Sequence, residues 1–162
     1  MAMLTEPMQR LIQEQKLGFV ATVTPEGLPN LSPKGTLSVW DEDHLIFADL
    51  ASPQTVLDLR VHPELEVNVV DPFSRRGYRF KGRAEVLEPG AGSGRYLAFF
   101  ERLGVLRPHE RIHTIVLVTV LDAREIRSPT YDSGITEEEV RRRWREYYDR
   151  LAAGESGLSD PA

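Results

Sequence analysis

Two short stretches carry the residue types from which an anion site can be built. Ser32-Pro33-Lys34-Gly35 sets a cation and a glycine beside a strand. Ser52-Pro53-Gln54-Thr55 reads as a helix start, with Ser52 as cap, Pro53 at the first helical position and the Thr55 hydroxyl following. The first turn of a helix has free N–H groups and the positive end of the dipole, so it attracts negative charge. Alone, such a start serves water as readily as a ligand. A third set, Arg79 and Lys81, lies on the polar face of an alternating run. In an antiparallel barrel the three segments can converge, and a planar anion with a phosphate tail would suit them. The phosphate would go to the helix start and Lys34, and the ring would lie against strand backbone. Arg79 and Lys81 read equally well as a solvated face.

Other patterns carry less. Gly90-x-Gly92-x-Gly94 is not the G-x-G-x-x-G of a dinucleotide turn, and Pro89 precedes it, so it reads as a linker. His109 and His113 stand too far apart on a strand face for a compact metal site, with no clustered carboxylate beside them. There is no G-x-S-x-G, and Glu42 and Asp43 fall in a turn. Side-chain hydrolysis has no support, so enzymatic chemistry here would come from a bound cofactor.

The 162 residues suffice for one domain with a real core. A net charge of -5 gives no field to recruit nucleic acid or an anionic membrane surface. The absence of cysteine removes disulfides, thiolate catalysis and zinc-thiolate sites, and fits a reducing compartment. Met1 to Gln15 has no apolar signal core, and no apolar run is long enough to span a bilayer. A cytoplasmic location is expected.

The elements that must position these residues are mostly short strands. Thr5-Glu6-Pro7 opens a helix with Met8, Leu11 and Ile12 on one face. Strands are expected at 18–23, 28–32, 36–40, 44–48, 65–70, 77–87 and 112–121, the first two joined by the turn Thr24-Pro25-Glu26-Gly27. The run 77–87 alternates Tyr78, Phe80, Gly82, Ala84 and Val86 with Arg79, Lys81, Arg83 and Glu85, giving one buried and one wet face. Gly82 and Ala84 suggest a close approach on the apolar face. The run 112–121 is nearly all apolar and reads as a central strand buried on both faces. The helix at Ser52 must stop before Pro63. Another helix is expected over 95–103, closed by Gly104. A last helix over 136–151 starts with the capping box Thr136 to Glu139. Its Glu137, Glu138 and Glu139 each face an arginine four residues on. Val140, Trp144, Tyr147, Tyr148 and Leu151 form its apolar stripe, for packing on the barrel or on a second subunit. Residues 152–162 have no periodicity and read as a disordered tail. The result is a mainly β chain, an antiparallel split β-barrel of Greek-key type with flanking helices.

The ordered set Ser32-Pro33-Lys34-Gly35, Leu45-Ile46-Phe47-Ala48-Asp49, Ser52 to Leu59, Glu66 to Asp71 and Gly77 to Ala84 resembles the pyridoxamine 5′-phosphate oxidase-like family of FMN-binding split barrels. The resemblance covers roughly residues 8 to 125. It implies a homodimer with FMN in grooves between subunits, and oxidoreductase chemistry on a small-molecule substrate. It implies cofactor contacts from Pro33, Lys34, Gly35 and Thr36, from Ala48 and Asp49, from Ser52, Gln54 and Thr55, and from Arg79 and Lys81. Two departures accompany it. Gln54 stands where many relatives carry a lysine or arginine, and Asp49 adds a negative charge at the same end, which weakens the grip on a phosphate. The tail lacks the arginine- and histidine-bearing segment that holds substrate phosphate in true pyridoxamine phosphate oxidases, so that reaction is not expected. A module holding a deazaflavin, haem or another ligand without turnover, and a cofactor-free structural dimer, are the alternative readings.

Overall fold

The computed structural model of the chain describes residues 2–88, 90, 92–104 and 111–161. Its strands are β1 (Gly18–Val23), β2 (Pro29–Lys34), β3 (Ser38–Val39), β4 (His44–Asp49), β5 (Glu64–Asp71), β6 (Arg76–Leu87) and β7 (Thr114–Arg127). Its helices are α1 (Glu6–Gln15), α2 (Pro53–Val61), α3 (Gly94–Leu103) and α4 (Glu137–Ala152), with a 3-10 turn at Pro129–Ser133. All strand pairs are antiparallel, in the order β2-β1-β5-β6-β7-β4-β3. The sheet curls into a half-barrel, because Val20 of β1, Val67 of β5, Phe80 of β6, Val116 of β7 and Phe47 of β4 bury into one core cluster. The curl also brings Leu37 so near β1 that a Cβ on Gly18 would lie 2.3 Å from its side chain. A smaller cluster under α3 joins Ile46, Ala48, Tyr96, Phe100 and Ile115, with Trp40 4.7 Å from Tyr96, centroid to centroid.

The mainly β antiparallel architecture is as expected, and several details differ. β2 runs on to Lys34 with Pro33 inside it, which an edge strand tolerates because its outward N–H has no ladder partner. The expected strand at 36–40 contracts to Ser38–Val39. Residues Gly35 and Thr36 form a turn instead, and the Thr36 hydroxyl takes the strand's place by donating to the Ala48 carbonyl (2.9 Å) and accepting from its N–H (3.0 Å). β7 is longer than expected and is buried on both faces only near its start. Beyond Val118 it alternates, and Leu121 is exposed, because the α3 cluster covers only the first residues. The small residue at Gly82 marks a real close approach: a Cβ there would meet the Thr119 carbonyl and Val118 at 2.6 Å, beside an irregularity in the β6–β7 register.

Helix ends bring further corrections. Neither Thr5 nor Ser52 makes a side-chain cap. Thr136 does, accepting from the Glu139 N–H. Glu137–Arg141 and Glu139–Arg143 pair as expected, but Arg142 pairs with Glu139 and Glu146 rather than Glu138. The α4 stripe packs within the chain: the Arg75 guanidinium lies 3.4 Å from the Trp144 ring centroid, and Tyr148 stands 5.6 Å from Phe73. After α4 no regular element follows among the described residues, and Arg150 pairs with Glu155. No described helix is long and apolar enough to cross a membrane.

Candidate functional site

The end of β2, the end of β4 and the start of α2 meet at one place. Alternation decides what each contributes. Ser32 and Lys34 pair with Val20 and Gly18, both buried, so they share the inner side of the sheet. Lys34 is only 4% exposed. Its ammonium donates one long bond, 3.4 Å, to the Thr55 hydroxyl in the first turn of α2, and it lies 5.6 Å from the Phe47 ring centroid. Burial pushes its pKa down from the usual lysine value, against the pull of the nearby Asp49 carboxylate. Asp49 is itself buried and accepts the Ser52 N–H at 2.7 Å, while the Ser52 side chain caps no N–H of α2. The Ser52 hydroxyl instead faces Ser32 Oγ across 3.4 Å.

Both cross-element contacts, Lys34–Thr55 and Ser32–Ser52, are at the outer limit of hydrogen bonding. These donors are therefore assembled but weakly consumed. Ser32 and Ser52 are half-buried, while Pro33, Gly35 and Gln54 are exposed, so the cluster borders the surface. A phosphate is the chemical group such a set of ammonium, hydroxyls and helix start can hold.

Of the candidate residues, Lys34, Thr36, Ala48, Asp49, Ser52 and Thr55 come together here. Gln54 belongs to the same turn, but its amide is turned along the helix and donates to Asp58 Oδ1 at 2.7 Å. Arg79 and Lys81 do not join them. Pro33 pairs with Phe19, Phe19 with Asn68 and Asn68 with Arg79, all on the outer side of the sheet. Lys81 follows the same side through Glu66 and Ala21. Both cations meet Glu66, at 2.9 Å from Arg79 and 3.8 Å from Lys81. His113 is exposed, and His109 lies outside the described residues. Among the described residues no group of acidic or histidine side chains could hold a metal.

Asp58 was missed by sequence reasoning. It is fully buried on the sheet-facing side of α2 and receives Thr22, Asn30 and Gln54. Burial alone would raise its pKa, but the three hydrogen bonds and nearby His62 hold it below the usual carboxylate range. The available signal was an acid set between apolar Val56 and Leu59 positions on a helix, opposite Thr22 on an otherwise apolar strand face. On the other side of α2 a cavity of about 440 Å³ lies between the helix and the start of β7, lined by Asp49, Leu50, Pro53, Val56, Leu57 and His113 among others.

A family model described as pyridoxamine 5′-phosphate oxidase matches residues 4–128. The crystal structure of HupZ from Group A Streptococcus is similar at 28% identity and a TM-score of 0.66, covering 78% of this chain and 96% of that one. An FMN-binding protein from Syntrophomonas wolfei is similar at 14% identity and a TM-score of 0.64, covering 77% and 87%. A structure named F420 reductase is similar at 21% identity and a TM-score of 0.58, covering 74% and 98%. These last two are likenesses of fold alone. No curated protein sequence matches the chain.

Proposed function

The chain belongs to the pyridoxamine 5′-phosphate oxidase family, and from that premise we propose that it is a flavin-binding oxidoreductase, with FMN as the cofactor, working as a homodimer on a small molecule. The observation that carries the reading is the loosely bonded cluster of Lys34, Ser32, Ser52 and Thr55 at the start of α2. It fits the phosphate end of FMN. Lys34 supplies the charge, the serine and threonine hydroxyls supply neutral donors, and the α2 dipole adds to both. Bound flavin would supply hydride and electron transfer, chemistry for which no side chain of the cluster is suited. The chain's part is to hold the phosphate end, to keep the Lys34 ammonium out of water, and to fix α2 against the sheet through Asp58.

The dimer follows from the other face. Phe19, Val23, Leu31 and Val70 are 40–64% exposed and lie on the outer side of β1, β2 and β5. Such a set on a sheet face asks for a cover, and a second copy is the cover proposed. Arg79 and Lys81 rise from the same face, paired to Glu66, so they would border the groove between two copies rather than the phosphate cluster of one chain. A deazaflavin is the second reading. It shares a planar ring and a phosphate with FMN, so the same cluster would hold it.

The absorption spectrum of purified protein, followed by FMN titration of the apo form, tests the cofactor. Flavin bands or saturable micromolar binding are expected, and the double variant Lys34→Ala, Ser52→Ala should lose that binding. A colourless chain that ignores FMN would remove the reading.

A further inference from the structure

Within this cluster one residue has the wrong sign for a phosphate site. Asp49 is 5% exposed, and the carboxylate is fixed by the Ser52 N–H at the very turn an anion would approach. Its one buried cationic counterpart is Lys34, 4% exposed, which it attracts through space. The Lys34 and Asp49 charges therefore cancel before any ligand arrives, and the Asp58 carboxylate of α2 is taken up by Thr22, Asn30 and Gln54. Gln54 adds none, and its amide is occupied by Asp58. Arg79 and Lys81 are on the other side of the sheet and share Glu66.

A helix start contributes the equivalent of roughly half a positive charge. That is comparable to a monoanion and far short of a dianion in a site where water screens poorly. We infer that Asp49 makes this site selective for a singly charged phosphate, a flavin-type ligand joined through a phosphodiester or a monoester carrying a proton, over the dianion. The inference rests on the flavin reading and narrows its ligand class. Asp49 acts as a specificity-determining residue, through its charge rather than through contact with the reacting ring.

The other charged groups around Asp49 must be kept apart from this effect. Lys34 faces it from β2, while Arg60 from α2 and His113 before β7 line the cavity that Asp49 also borders. Arg60 is tied to Glu88. The His113 backbone N–H donates to the Asp49 carbonyl. The test compares three flavins that share ring and ribityl chain: riboflavin, FMN and riboflavin 4′,5′-cyclic phosphate, titrated into the apo protein at pH 5.5 and pH 8 with flavin fluorescence as readout. The cyclic phosphodiester carries one negative charge at both pH values, whereas FMN gains its second near pH 6. At pH 8 the diester should bind about tenfold tighter than FMN. FMN should recover most of that gap at pH 5.5 while the diester changes little, and Asp49→Asn should tighten FMN at pH 8. Equal affinity of FMN and diester at pH 8 would overturn the inference, as would an equal acid gain by both ligands. Binding of all three flavins alike would leave a flavin protein that does not read phosphate charge. Binding of none would remove the flavin reading itself and this inference with it. The wild-type comparison decides the matter even if Asp49→Asn does not fold.

Discussion

The Thr22 hydroxyl on β1 donates to Asp58 Oδ2 on α2 at 2.6 Å, and both residues are buried. Asn30 from β2 reaches the same oxygen at 2.8 Å and Gln54 reaches the other at 2.7 Å. One carboxylate thus ties α2 to β1 and to β2, the strand that ends at Lys34. Removing it strips the acceptor from the buried Thr22 hydroxyl and from Gln54, and leaves Asn30 only its 3.2 Å bond to Thr22 Oγ1. Asp58→Ala should cost about 3 kcal/mol, at the upper end for unsatisfied buried polar groups. Urea unfolding measures this, and a loss under about 0.5 kcal/mol would mean that the cluster does not hold α2.

The same carboxylate sets an acid dependence. The hydrogen bonds to Asp58 hold its pKa below the usual carboxylate range, despite the opposing push of burial. Glu137 is held low as well, first by its hydrogen bond from Arg141 and then by Arg76. A carboxyl whose pKa is depressed in the fold takes its proton more readily when unfolded. Its stabilisation is complete above the unfolded value, near pH 4, and is lost as pH falls through the folded value. Urea midpoints should therefore fall between pH 5 and pH 2.5, and the fall should be shallower in Asp58→Ala. Parallel curves for the two proteins would assign the acid sensitivity elsewhere.

The C-terminal helix clamps the hairpin between β5 and β6. Arg75 stands in a left-handed conformation at φ 57° and stacks on Trp144, while the Tyr131 hydroxyl donates to the Ser74 carbonyl at 2.5 Å. Arg141 adds a 2.7 Å ion pair to the buried Asp71. Trp144→Ala should cost about 3 kcal/mol, the lower end for loss of a buried indole. Amide exchange at Arg75 and Gly77 should speed up in that variant, while Val67 and Val116 in the core keep their protection. Unchanged exchange at the hairpin would reduce α4 to a passive cover.

Glycines separate by what surrounds them. A Cβ on Gly77 would lie 2.1 Å from the Val69 carbonyl oxygen, and backbone cannot yield as a side chain can. At Gly35 the nearest atom is 4.0 Å away and φ is ordinary. Gly77→Ala should destabilise by about 3 kcal/mol, as overpacking against fixed atoms does. Gly35→Ala should stay within about 0.5 kcal/mol, as surface changes do. Thermal melts of the two variants decide it, and similar melting points would contradict the packing at β6.

The strands were legible from alternation, because period-two burial writes itself into runs such as Tyr78 to Val86. So were the hairpin at Thr24 to Gly27 and the stop of α2 before Pro63. What the sequence hid were choices between equivalent donors. Thr36 could have extended a strand, but its hydroxyl bridges Ala48 instead. Ser52 could have capped α2, but its hydroxyl faces Ser32 and its own N–H goes to Asp49. The sidedness of Arg79 against Lys34 depends on register across four strands. No local pattern states it, and it became visible only once β2, β1, β5 and β6 were aligned.

That sidedness leads to the oligomer. Phe19 is 44% exposed and Leu31 64%, on adjacent strands of one outer face. Asn68, paired with both Phe19 and Arg79, keeps a buried side-chain oxygen that accepts no hydrogen bond. An acceptor left without a donor is costly. A charge introduced at Leu31 is tolerated by the isolated chain, because that side chain already stands in water. Buried unpaired between two copies, the same charge is strongly unfavourable. Leu31→Asp should therefore keep the melting behaviour of a folded chain while light scattering falls from the mass of a dimer to that of a monomer at micromolar concentration. Flavin affinity should fall with it, because Arg79 and Lys81 would no longer border a closed groove. A variant that stays dimeric would place the contact on another surface. A wild-type chain that is monomeric would remove the dimer and leave the phosphate cluster to work alone.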